Sequence, residues 1–78
     1  MNTEKVIKAL SAAGLTEYKA VNIWNGDSCK PGLMVKHDYD GLYPNAETHE
    51  KIRAVRKIAK RFGLSAETRG YYTGTLIF

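Results

Sequence analysis

The chain has 78 residues, 12 Lys and Arg against 8 Asp and Glu, and a formal net charge of +4. That length holds one domain, residues 1–78, because a second core could not be buried, and 44% hydrophobic with 26% charged residues excludes a disordered or fibrous chain. One cysteine excludes an internal disulfide, and no apolar run reaches half of the roughly 20 residues that cross a bilayer.

Asn2 or Thr3 is placed to cap a first helix over about 3–13, with Glu4 near its positive end. This opening lacks the apolar run of a signal peptide, so a soluble, cytoplasmic protein is expected. Val6, Ile7, Leu10 and Ala13 form a narrow apolar stripe at helical spacing, and Gly14-Leu15 fits a Schellman stop. Tyr18 to Trp24 is rich in strand formers. Asn25-Gly26-Asp27-Ser28 then reads as a turn cluster, and Pro31-Gly32 as the end of that loop, since proline interrupts a central sheet ladder. Leu33 to Tyr39 is a second strand, with Leu33, Val35 and His37 on one side and Met34, Lys36 and Asp38 on the other. Together the two strands make a hairpin.

After the loop Asp40-Gly41-Leu42-Tyr43-Pro44, Asn45 caps a second helix over about 46–62. Ile52, Ala54, Val55, Ile58, Ala59 and Phe62 share an arc of about 160°. Gly63-Leu64 repeats the earlier stop, with Lys57, Lys60 and Arg61 well placed against the C-terminal dipole. The segment Thr68 to Phe78 reads as a third strand. The expected fold is therefore α+β, a two-layer αββαβ domain with a three-stranded sheet and both helices packed on one face. The second strand, second helix and third strand fit a right-handed parallel crossover that sets the last strand beside the first or second. Helix–Gly–Leu–polar–strand occurs twice, at Lys8–Trp24 and Lys57–Leu76. A duplication leaves that pattern, and so does a common helix stop used twice.

Chemistry concentrates on the second helix. His49, Arg53, Arg56, Lys57 and Lys60 fall within about 100° of arc opposite the apolar stripe, with Glu50 near the edge. Such a face neutralises phosphates or meets an acidic protein surface, while its plain alternative is a solvated face serving solubility. Tyrosine is the other abundant resource: Tyr18, Tyr39, Tyr43, Tyr71 and Tyr72, joined by Trp24. Tyr71 and Tyr72 are consecutive, so on a strand one faces away from the helices. There it stacks a base, anchors an interface, or lies half-buried with its hydroxyl in water.

Other constellations are thinner. Arg69-Gly70-Tyr71 is similar to the opening of the RNA-recognition motif's longer signature. That signature then wants a small residue where Tyr72 stands and an aromatic where Thr73 stands. His37 and Asp38 alternate across a strand and do not converge on one ion, and Cys29 reads as an exposed loop thiol. Gly26, Gly32 and Gly41 lie too far apart for a phosphate cradle. No catalytic residue, metal or cofactor is assigned, and a non-enzymatic role is expected.

The run Asp-Tyr-Asp-Gly-Leu-Tyr-Pro from Asp38, the basic helix, Gly-Leu and Arg-Gly-Tyr-Tyr-Thr resembles small accessory domains of phages and plasmids, including those associated with large polyvalent proteins. The resemblance covers residues 38–78. In size class the chain is similar to anti-CRISPR proteins, compact domains that block a CRISPR effector. These likenesses imply a mobile-element accessory or inhibitor acting by protein–protein contact. The alternative is a small nucleic-acid-binding protein using the basic helix face. Candidate binding residues are His49, Arg53, Arg56, Lys57 and Lys60 on that face, and Arg69, Tyr71, Tyr72 and Tyr43 around the last strand. The expected partner is a protein with an acidic surface or a nucleic-acid-binding complex, with nucleic acid the second choice and no membrane. The sheet edges invite pairing with a second copy.

Overall fold

Both helices begin and end where local chemistry dictates. The computed structural model describes residues 2–37, 45–69 and 74–78, and shows helix α1 at Thr3–Ala12 and helix α2 at Ala46–Arg61. The Asn2 side chain accepts from the Lys5 amide at 3.3 Å, and Asn45 Oδ1 accepts from the Thr48 amide at 2.8 Å. Each cap satisfies an amide that has no partner inside its helix. The Gly-Leu stops close as expected: Gly14 and Gly63 have φ of 79° and 69°, where a Cβ would be strained. Leu15 and Leu64 then donate back to the carbonyls of Leu10 and Ala59, each at 2.8 Å.

The sheet has four strands, not three: β1 Tyr18–Asn25, β2 Ser28–Lys36, β3 Ala66–Arg69 and β4 Gly74–Ile77, in the order β1-β2-β4-β3, all neighbours antiparallel. The expected single strand over Thr68–Phe78 is instead two strands paired with one another. Extended, that segment would run about 36 Å, against about 24 Å for the sixteen-residue helix that covers it. Folding back places both halves under α2. The last strand does lie beside β2, but antiparallel to it. β3 runs parallel to β2 with β4 between them, so the expected crossover is split by an inserted strand.

β2 also starts earlier than expected, because Pro31 lies inside it. Lys36 donates its amide to Glu17 at 2.8 Å, which sets the phase of the β1–β2 ladder. Pro31, opposite Asn22, therefore turns its nitrogen away from β1. On that side β4 pairs only with Leu33 to Lys36, so the missing N–H costs no ladder bond. The turn reduces to Gly26-Asp27, and Cys29 is exposed on a strand, not in a loop.

Each half of the chain thus runs helix–strand–strand, and the two second strands, β2 and β4, meet at the centre of the sheet. Their inner residues Leu33, Val35 and Ile77 pack with Val6 and Leu10 of α1 and with Val55, Ile58 and Ala59 of α2. Both helices cover that single face, as the two apolar stripes require. The opposite face carries Val21, Ile23, Met34 and Leu76, none of which belongs to this core. Among the described residues no helix is long and apolar enough to cross a membrane.

Candidate binding surface

The apolar stripe of α2 decides where its cations go. Ile52, Val55, Ile58 and Ala59 are buried, with Ala54 and Phe62 half-buried beside them; Thr48, absent from the expected stripe, is buried as well. Burying that arc turns His49, Arg53, Arg56, Lys57 and Lys60 outward, and all five are exposed. Lys57 and Lys60 flank two shallow depressions, both with Ala54 in their walls. Charged heads there stand around a small apolar patch formed partly by their own aliphatic stems.

Ion pairing barely touches this face. Among the described residues the salt bridges are Lys51–Glu47 at 3.8 Å, one turn apart on α2, and Arg69–Glu67 at 3.2 Å on β3. Neither involves Arg53, Arg56, Lys57 or Lys60. Arg56 reaches sideways, donating to Thr68 Oγ1 at 3.5 Å, and Arg61 stacks over the Phe62 ring at 5.4 Å. Exposed pairs of this kind contribute little, so the charges remain available to a partner.

The second predicted set does not join the first. Arg69 lies on the sheet face turned away from the helices and is engaged by Glu67. Tyr43, Tyr71 and Tyr72 lie outside the described residues, as do Asp38, Tyr39 and Asp40. His37 lies on the sheet face that packs against the helices and is buried there. It is 2% exposed, and its Nε2 sits 2.6 Å from Thr75 Oγ1. Thr75 is 3.4 Å from Thr68, so a polar chain runs from Arg56 at the surface to His37 in the interior. Burial, then the charge of Lys51, holds the His37 imidazole below its usual pKa. No group of three metal-ligating side chains occurs among the described residues.

Two features escaped the sequence reading. Trp24 is 68% exposed near the tip of the β1–β2 hairpin, beyond the helices. A shallow groove on the outer sheet face runs past it, lined by Val21, Ile23, Met34, Leu76 and Arg69. Alternation within Tyr18–Asn25 marks Val21 and Ile23 as sharing a face, but only the register with β2 and β4 shows that it is the face opposite α1 and α2. Comparison with protein-family models, curated proteins and solved structures returns no match.

Proposed function

We propose that this protein is a non-enzymatic binding module whose α2 face docks on an acidic protein surface. The observation that carries the reading is the row Arg53, Arg56, Lys57 and Lys60, exposed and without a carboxylate partner among the described residues. The Ala54 patch between the lysine stems favours a protein partner, because carboxylates and an apolar side chain together fit such a surface better than phosphates alone. A mobile-element inhibitor or accessory role, of the kind found among phage and plasmid domains, is consistent with this size and mode of action.

A nucleic acid is the second reading, and one observation favours it. Positions 53, 56, 57 and 60 align the cations along about 10 Å of helix, a spacing that tracks a phosphate backbone. Titrating a short DNA duplex at low and moderate salt separates the two. Four phosphate contacts predict an affinity loss on the order of 100-fold between about 50 and 200 mM salt. Protein docking predicts negligible duplex binding, together with a partner from the source cells that is retained by the wild type and lost by Arg53→Glu/Lys57→Glu/Lys60→Glu. A variant that still retains that partner contradicts the α2 assignment.

A further inference from the structure

We propose that the free edge of β1 pairs with β1 of a second copy, antiparallel and centred on Val21, joining two four-stranded sheets into one. This surface is separate from the α2 face. β1 and β3 are the two edges of the sheet, and they differ in kind. β3 has four residues, two of them the charged Glu67 and Arg69, which blunts it. β1 has eight residues, no proline, and Lys19 as its single charge. Lys19 is the one device on it that protects an exposed edge, against two charges on a strand half as long in β3.

The ladder phase fixes which groups are free. Glu17 accepts from Lys36, so Lys19, Val21, Ile23 and Asn25 exchange their bonds with β2. Tyr18, Ala20, Asn22 and Trp24 therefore aim their backbone N–H and C=O groups outward. An antiparallel partner centred on Val21 opposes Tyr18 to Trp24 and Ala20 to Asn22, so every outward group meets another of the same set. Each such pair exchanges two hydrogen bonds. Shifting the register by two residues on one chain leaves some of them unmatched.

Side chains agree with that register. Trp24 lies on the same side of the sheet as Tyr18, and the pairing sets its exposed ring directly across from the partner's Tyr18, a favourable aromatic pair. Lys19 falls opposite Ile23, so no like charges face each other. α2 packs on β3 and β4, away from β1, and the two cationic helix faces stay apart in the pair. Ala20, Asn22 and Trp24 are all exposed, which leaves the approach open on the helix side of the sheet.

Sedimentation velocity over a range up to millimolar protein tests the pairing, and a cysteine cross-link tests its register. The wild type is expected to shift from monomer to dimer mass with concentration. Ala20→Pro removes an outward N–H without touching the β1–β2 ladder, so it should remain monomeric with an unchanged circular dichroism spectrum. In a Cys29→Ser background, Val21→Cys places two thiols opposite one another, in a non-hydrogen-bonded pair about 4.5 Å apart at Cα. That lies within disulfide range, and the variant should oxidise to a covalent dimer. Lys19→Cys, which faces Ile23 of the other copy, should not. A wild type monomeric at all concentrations, an Ala20→Pro variant that still dimerises, or cross-linking through position 19 in place of 21 each overturns the proposal.

Discussion

The two helix–strand–strand units share a plan and spend their residues differently. The first joins a ten-residue helix to strands of eight and nine residues, and its hairpin runs on past the helices to an exposed Trp24. The second joins a sixteen-residue helix to strands of four residues each. Where the units overlap they supply one common core, Leu10, Leu33 and Val35 from one, Val55 and Ile77 from the other. Where they differ they expose distinct surfaces, a bare strand edge in the first and a cationic helix face in the second. The shared part holds the fold, and the surplus of each unit is what a partner would meet.

The strongest way to break this comparison is to cut the shared core from one side. Leu10→Ala empties a fully buried position in α1 and should cost about 2–5 kcal/mol, read as a lower urea midpoint. If the units share a core, amide signals of β2 and β4 disappear in one transition. Separate transitions would make them independent.

A second effect belongs to the polar chain that ties β2 to β4. His37 stays neutral in the fold more readily than in the unfolded chain, where its pKa is about 6.5. Protons therefore bind the unfolded state first. Stability is fully present above that pH and declines as pH falls below it, by up to about 1.4 kcal/mol per pH unit. Urea midpoints compared at neutral and mildly acidic pH give the slope, and His37→Leu should remove most of it. The repeated helix stop supplies a matched pair: Gly14→Ala and Gly63→Ala should each cost about 1 kcal/mol in thermal melts, since both force a Cβ into positive φ with no steric contact to confuse the result. Unequal losses would mean that the two stops are not the same device.

Much of this was legible before any coordinates. Asn45, the spacing of Ile52, Val55 and Ala59, and the Gly-Leu pairs identify the helices because caps and periodicity are local properties. The outward cations follow from the same wheel. The division of residues 66–77 into two strands was missed: Gly70 and Gly74 are turn-forming residues inside the expected strand, but the strand formers Tyr71, Tyr72 and Thr73 stand between them. Pro31 misled for another reason: its cost depends on whether a neighbour stands on its nitrogen side, which is a fact of topology. Trp24 looked like one aromatic among several, and its exposure follows from its place near the hairpin tip on the edge strand β1.

The smallest expected effect on stability comes from the surface on which function depends. Arg53→Glu/Lys57→Glu/Lys60→Glu should change stability by less than about 1 kcal/mol, because all three residues are exposed and none belongs to the core. Its effect on binding should be large, and one comparison isolates it. A control variant, Lys5→Glu/Lys8→Glu/Lys19→Glu, carries the same net charge with the cations removed from the first unit instead. Retention of the two on an immobilised polyanion tests directly whether α2 presents a focused site. The α2 variant should elute at far lower salt than the control, and equal elution of both would show that only net charge matters and contradict the assignment.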